Sequence, residues 1–191
     1  MIRKVSVILA MVVAVSVGMI STQGAGAAEP IIIGVPTSTG FLEGKEALRA
    51  VNMAVEEINA AGGVNVDGTK RPFAVESVDI RDAAPGVPVP EALLGLEKII
   101  LSKKPAALLV GPFRSEALMA GMDIIAKYKV PLLGTIAMSP GSEAKIKKDP
   151  EKYKYVFRTC LNAVHLVKYL AGTMASVSYT HLTLPTRCHR C

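Results

Sequence analysis

The chain has 191 residues, which allows one domain or slightly more, and half of them are apolar, enough for a sizeable core. It has no Trp and few aromatic residues, so we expect an aliphatic core, as in a parallel sheet covered by helices. The formal net charge is +6, but Arg3, Lys4, Arg187 and Arg190 lie near the ends and the remainder is almost balanced. This argues against a nucleic-acid groove, which needs clustered Lys and Arg with stacking aromatic rings.

The amino-terminal segment has the order of a secretory signal peptide. Residues 1–4 are positive, residues 5–20 are almost purely apolar, and residues 21–28 are small and polar with an A-x-A site. The alternative is a transmembrane anchor, but the apolar run is short for a hydrocarbon core of about 30 Å. We therefore predict cleavage near Ala27 or Ala28, without a Cys for lipid anchoring, and export to the periplasm.

Strands and helices are predicted to alternate along the rest of the chain. Apolar runs predict strands, at residues 31–35, 72–80, 106–110, 131–134 and 155–158. Apolar residues three and four apart predict helices, at residues 44–60, 93–102, 115–128 and 163–174. The stripe predicted to be buried on the first helix consists of Ala47, Leu48, Val51, Ala54, Val55 and Ile58. Gly62-Gly63 is expected to end that helix, Asp67-Gly68 to form a turn, and residues 85–90 to form a proline-rich loop.

This alternation predicts an α/β fold with a doubly wound parallel sheet. Ligands bind such sheets at the carboxyl ends of the strands. Those ends correspond to loops at residues 36–43, 111–116 and 135–142, which form the candidate binding region.

No catalytic motif emerges from the sequence. The loop after the first strand lacks the G-x-G-x-x-G pattern of a dinucleotide site, and the segment from Gly40 to Lys45 is one residue too short for a phosphate loop. Asp79 and Asp82 are candidates for acid–base work, but two carboxylates in one loop are more often solvated or bonded to backbone amides. His165 has no partner in the local sequence, and we expect it at the surface. We predict that the protein is not an enzyme and binds no cofactor and no metal.

The cysteines divide between the body of the protein and an unusual tail. Cys160 is alone in the mature body, so no internal disulfide is expected there, and we predict a small core residue. Residues 177–186 read VSYTHLTLPT, which can be back-translated into the transposase-end adapter of DNA-sequencing libraries. We interpret residues 177–191 as an artefact, with a genuine extended terminus as the alternative. The C-x-x-C spacing of Cys188 and Cys191 then has no metal or redox meaning, and the natural chain is expected to continue beyond Ser176.

Five stretches together resemble a known family. The run AVEEINAAGG at residues 54–63 is highly distinctive. It is accompanied by IG at 33–34, GPFRS at 111–115, VPLLG at 130–134 and YVFRT at 155–159. In this order and spacing they resemble the periplasmic solute-binding proteins for branched-chain amino acids and amides, which serve ATP-driven importers. The resemblance covers about residues 30–175 and implies the first lobe of a two-lobe protein that closes over its ligand.

The resemblance implies a division of the chain. Residues 1–27 are the signal peptide, residues 28–154 the amino-terminal lobe, residues 155–176 the crossing region and start of a truncated second lobe, and residues 177–191 the artefact.

The resemblance also implies ligand-binding residues. Ser115 matches the serine that binds the ligand carboxylate in that family, although it could serve only as a helix N-cap. The carbonyl of Ile136 and the hydroxyl of Ser139 would contribute from the loop after the fourth major strand. Met138 replaces the threonine that usually contacts both ends of an amino acid, so we expect an apolar or weakly polar ligand edge there. Phe41 matches an aromatic residue that packs on the ligand, with ordinary loop packing as the alternative.

The predicted function is extracytoplasmic binding of a small solute for delivery to an ATP-driven importer. The solute is expected to be an amino acid, an amide or a related organic acid. The expected partners are this small-molecule ligand and the membrane permease of the ABC importer, with no nucleic acid, and the protein is expected to be a monomer. The alternative is a ligand-sensing domain of a receptor with the same fold. A downstream membrane segment with a signalling domain would favour the sensor, and neighbouring permease and ATPase genes would favour the importer.

Overall fold

The computed structural model describes residues 28–176, so the predicted signal peptide and tail lie outside the described residues. In chain order the elements are β1 (Ile31–Thr37), α1 (Leu42–Ala60), β2 (Val64–Val66), β3 (Thr69–Arg71), β4 (Phe73–Asp79), α2 (Val89–Lys103), β5 (Ala107–Val110), α3 (Ser115–Tyr128), β6 (Leu132–Gly134), α4 (Gly141–Lys148), α5 (Pro150–Tyr153), β7 (Val156–Arg158) and α6 (Ala163–Ser176). Within this part of the chain, no helix is both long enough and apolar enough to cross a bilayer.

The main sheet confirms the predicted doubly wound α/β fold. Five strands lie in the order β4-β1-β5-β6-β7, and every neighbouring pair is parallel. Residues 155–158, predicted to begin the crossing region, contain β7, in which Val156 pairs with Leu132 of β6 within this sheet. The crossing into a second lobe stays a prediction.

Helices cover the two faces of the sheet unequally. On one face α2 and α3 form the main core with strand residues such as Leu108, Leu132 and Val156. On the other face α1 packs against a smaller cluster that contains Ile33, Val35 and Val110. Successive residues of a strand point to opposite faces, so this division follows from the apolar runs of β1 and β5.

The α1 face is more open than the sequence predicts. Of the stripe expected to be buried on α1, Ala54 and Ile58 are exposed, and Ile58 retains 38% of its accessible surface. An open apolar groove of about 510 Å³ lies between α1 and the sheet, lined among others by Val51, Val55 and Leu109. The prediction of a buried stripe was wrong, because this groove leaves the apolar side chains of α1 partly uncovered.

Local signals explain most element boundaries. Gly62 and Gly63 end α1 with φ of 95° and 76°, and Asp67-Gly68 forms the turn between β2 and β3, a hairpin whose short strands were not predicted. α2 begins four residues earlier than predicted, because Pro90 is favourable in the first turn of a helix. α4 and α5 were missed entirely.

The end of β5 contains a tight turn with an unusual backbone. Val110 has a φ of 72°, a value rarely adopted by a β-branched residue, and Gly111 follows with 78°. The amide of Gly111 donates to the carbonyl of Leu109 at 2.9 Å, closing a three-residue turn. The carbonyl of Val110 accepts from the amide of Thr135 at 3.1 Å, so this turn is joined to the start of the loop after β6.

Candidate functional site

The loops that follow the parallel strands meet at one edge of the sheet. Ser115 begins α3 after β5, and Ser139 lies in the loop after β6. The amide of Ser139 donates a hydrogen bond to Oγ of Ser115 at 3.1 Å, so the structure brings these two predicted residues together. This junction is the centre of the candidate site.

Ser115 does not cap α3, which corrects one of the two predicted roles. The N-cap position belongs to Arg114, and α3 has no side-chain cap, because Oγ of Ser115 accepts from Ser139 instead. Its hydroxyl hydrogen remains able to donate. The first bond within α3 joins the amide of Leu118 to the carbonyl of Arg114 at 3.0 Å, so the amides before Leu118 lie ahead of the helical ladder. Such amides and the positive end of the helix dipole favour an anion.

The carbonyls of the loop after β6 differ in whether another protein group bonds to them. The carbonyls of Ala137 and Ser139 accept from the guanidinium of Arg158, and that of Met138 accepts from the amide of Ala163 at 2.8 Å. The hydrogen bonds of residues 28–176 include none to the carbonyls of Thr135 and Ile136, and the Ile136 side chain packs on the cluster beneath α1. The carbonyl of Ile136 is therefore an acceptor in this loop that a ligand can use.

Ser139 and Met138 differ in what they can offer. Oγ of Ser139 accepts from the amide of Gly141 at 3.0 Å, which leaves its hydroxyl hydrogen as a donor. Met138 is half-buried and has only a thioether beyond its backbone, so it offers an apolar contact.

An aromatic pair stands beside the Ser115 loop. Phe41, the residue before α1, lies with its ring centroid 6.3 Å from that of Phe113, and the rings are tilted by 30°. Phe113 lies two residues before Ser115 and was not predicted as a site residue, although it belongs to the GPFRS stretch. Aromatic pairs at this separation form a rigid apolar surface.

Asp79 and Asp82 hold loops in place. Asp82 is completely buried, and its carboxylate accepts from Oγ of Ser38 at 2.6 Å and from the amide of Arg114 at 2.8 Å. The exposed carboxylate of Asp79 accepts from the amides of Thr39 and Arg81. Both carboxylates therefore accept from backbone amides in loops, in line with the non-catalytic interpretation of the sequence. Asp82 also joins the loops after β1, β4 and β5.

An ion pair underlies the loop after β6. Nε of Arg158 lies 2.6 Å from Oε1 of Glu143, and the Arg158 side chain is only 14% exposed. Burial raises the pKa of Glu143, but bonds from its own amide, Asn162, Arg158 and Ser142 outweigh that effect and hold this pKa below its ordinary value. The two charges balance each other, so this pair adds little net charge to the site.

The remaining predicted residues lie away from this junction. His165 is exposed on α6, as expected, and its amide donates to Oδ1 of Asn162. Cys160 was predicted in the core but is only half-buried, because it follows β7 in a loop, with its sulfur 3.6 Å from Nη1 of Arg158. Residues 28–176 contain no group of three His, Cys, Asp or Glu side chains placed to hold a metal ion.

The wound parallel sheet and the donor-rich loops at its carboxyl edge define a lobe of the type that binds solutes between domains. The sequence profile of one family, the periplasmic binding proteins, matches residues 33–179. The chain belongs to that family.

Solved structures show the same fold. LivJ, the branched-chain amino acid transporter substrate binding protein of Streptococcus pneumoniae, was solved in complex with isoleucine and is 25% identical, with a TM-score of 0.55 over 70% of this chain. A substrate-binding protein of an ABC transporter from Desulfitobacterium hafniense, in complex with Leu, is 24% identical, with a TM-score of 0.60 over 78% of this chain. The match spans only 34% of the first protein and 39% of the second.

Proposed function

We propose that this lobe binds a small solute that carries a carboxylate, outside the cytoplasm, for delivery to the permease of an ATP-driven importer. The solute class is an amino acid, an amide or a related organic acid. The observation that carries the proposal is the junction of Ser115 and Ser139, where a helix amino end and two free hydroxyl hydrogens meet. The likeness to LivJ, which was solved with isoleucine, supports an amino-acid ligand.

The junction offers complementary groups to the two ends of an amino acid. The amides at the start of α3 and the hydroxyl of Ser115 would donate to the carboxylate, where charge-assisted bonds are stronger than neutral ones. The carbonyl of Ile136 would accept from the ammonium. Phe41 and Phe113 would cover the apolar part of the solute. Met138 would face an edge of the solute that has no polar group in need of a hydroxyl partner.

We propose that a second lobe completes the site. Binding sites bury most of the surface of a small ligand, whereas this edge of the sheet covers a ligand from one side only. The 191-residue chain alone should therefore give no calorimetric signal with leucine at micromolar concentrations. Micromolar binding by this chain would contradict the clamp.

The experiment is calorimetry on the complete two-lobe protein with three probes: L-leucine, leucinamide, which lacks the carboxylate, and 4-methylpentanoate, which lacks the ammonium. The proposal expects binding to require the carboxylate. Ser115→Ala should weaken binding of the bound probe by about 10- to 100-fold, because a hydrogen bond to a charged group contributes about 1.5–3 kcal/mol. Ser102→Ala is the matched control, since Ser102 is exposed on α2 and bonds only to the carbonyl of Lys98.

A second substitution tests the ligand edge at Met138. If Met138 faces an apolar edge, Met138→Thr should leave the affinity unchanged or weaken it. Tighter leucine binding by Met138→Thr would show that the ligand presents a polar group there. Unchanged affinity in Ser115→Ala, for every probe that binds, would place the carboxylate elsewhere and refute the proposed site.

A further inference from the structure

One mostly buried side chain bonds two carbonyls of the loop after β6, which we call the binding loop (residues 135–140). Arg158, the last residue of β7, donates from Nη1 to the carbonyl of Ala137 and from Nη2 to that of Ser139 at 2.7 Å. Nη2 also donates to Oγ of Ser142 at 2.7 Å, just beyond the loop. Only a planar guanidinium has enough donors, in a fixed fork, to reach these acceptors together.

Glu143 and Asn162 keep this guanidinium in place. Glu143 forms the ion pair with Arg158, and its carboxylate also accepts from Oγ of Ser142 and from Nδ2 of Asn162 at 3.1 Å. Asn162 is buried, and its Oδ1 accepts from the amide of His165 in the first turn of α6. The network therefore connects the binding loop to the segment that leaves β7.

Arg158 is unsuited to bind the solute itself. The donors of Nη1 and Nη2 are directed at protein acceptors, and Nε is buried beside the Glu143 carboxylate that balances the charge, so Arg158 has neither a free fork nor a free charge to offer. Arg158 instead bonds the carbonyls of Ala137 and Ser139, while the amide of Ala163 bonds the carbonyl of Met138 between them. Among the described residues, this arrangement leaves the carbonyls of Thr135 and Ile136 without a protein donor, and that of Ile136 is the one proposed to face the solute.

We propose that Arg158, held by Glu143, is a positioning residue that fixes the binding loop in its solute-binding conformation before the solute arrives. The part of this inference that concerns affinity rests on the proposed function. If the binding conformation of a site is populated only part of the time, its apparent affinity is reduced by that fraction. Releasing the loop from Arg158 should therefore weaken solute binding, although every contact with the solute is kept.

The test compares Arg158→Lys with a matched control. Lysine keeps the charge but loses the planar fork, so it cannot hold both carbonyls. Arg49→Lys is the control, because Arg49 forms an ion pair with Glu46 at the same 2.6 Å but is 68% exposed on α1. Glu143→Gln is the second variant, which keeps the shape and removes the charge that holds Arg158. Its control is Glu46→Gln.

The first measurement is amide hydrogen exchange on the 191-residue chain. The amide of Ser139 should exchange at least about tenfold faster in Arg158→Lys, since each 1.4 kcal/mol of lost stabilisation corresponds to tenfold. The amides of Leu108 and Leu132, which bond within the sheet, should exchange at the rate of the unsubstituted chain. A purely structural role would accelerate these sheet amides too. Glu143→Gln should change Ser139 in the same direction, and it decides the test alone if Arg158→Lys fails to fold.

The second measurement is leucine binding by the complete two-lobe protein, where Kd should rise about tenfold in Arg158→Lys and stay unchanged in Arg49→Lys. Unchanged exchange at Ser139, or faster exchange with a leucine Kd within twofold, would overturn the proposal. If the unsubstituted protein binds none of the three probes, the proposed function fails, and the exchange result alone then supports or overturns the positioning role.

Discussion

Replacing Asp82 should destabilise the lobe by an amount that depends strongly on the replacement. This carboxylate is completely buried and accepts one bond from Oγ of Ser38 and one from the amide of Arg114. Because these partners belong to the loops after β1 and β5, Asp82 links both loops to the one after β4. In Asp82→Ala both donors would lose their acceptor in a place that excludes water.

The magnitude follows from the two bonds. Hydrogen bonds to a charged group contribute about 1.5–3 kcal/mol each, so Asp82→Ala should lower the free energy of unfolding by about 3–6 kcal/mol. Asp82→Asn should cost only about 1 kcal/mol, because its oxygen can accept from Arg114 while its amide donates to Ser38. Oγ of Ser38 already accepts from the amide of Ala83 at 2.9 Å, and it has a second lone pair for this purpose.

Urea unfolding of the 191-residue chain measures both variants. Asp79→Ala is the matched control, because Asp79 also accepts from loop amides but is exposed, so its loss should cost less than about 1 kcal/mol. Equal destabilisation by Asn and Ala at position 82 would refute the two-acceptor reasoning. So would a cost of Asp82→Ala no greater than that of Asp79→Ala.

Two further predictions concern stability. Gly44→Ala should destabilise the chain by about 1–3 kcal/mol, despite the better helix propensity of Ala, because its Cβ would lie 2.1 Å from the carbonyl oxygen of Ser38. Gly172→Ala on α6, where nothing lies within 4 Å of the added Cβ, should instead be neutral or stabilising in the same urea assay. Bonds from Lys145 and then Lys152 lower the pKa of Asp123 below its ordinary 3.8, so the stability it adds is present above that pH and lost as the pH falls further. Thermal melts between pH 5 and pH 2 should therefore show that Asp123→Asn loses stability less steeply than the unsubstituted chain as the pH falls. The difference should be less than about 1 kcal/mol, because Asp123 is half exposed. An identical pH dependence of the two proteins would contradict this prediction.

Much of the fold could be predicted because its signals are local. The apolar spacing of α3 predicted both of its ends, and the paired glycines predicted the end of α1. α4 was missed because residues 141–148 carry mostly polar side chains with no stripe of their own, and the short α5 begins with a proline. The exposure of Ile58 was missed for a different reason, since a helical stripe shows which face is apolar but not how much of the lobe covers it.

The candidate site was predictable only in part, because its contacts join distant residues. Ser115 was chosen from its place at the start of a helix, yet its hydroxyl bonds 24 residues away, to Ser139, and not to its own helix. Arg158 was visible only as a charged residue at the end of an apolar strand. Its partners are Ser142, Glu143 and two loop carbonyls, and the carbonyls have no signature in side-chain sequence.

The positive φ of Val110 couples the carboxyl edge of the sheet to the packing beneath α1. Glycine would adopt this backbone without strain, whereas the valine contributes a side chain that packs with Ile33 and Val35 beneath α1. The same residue accepts from Thr135, where the binding loop begins. Mutations in this small cluster can therefore release the turn and shift the loop.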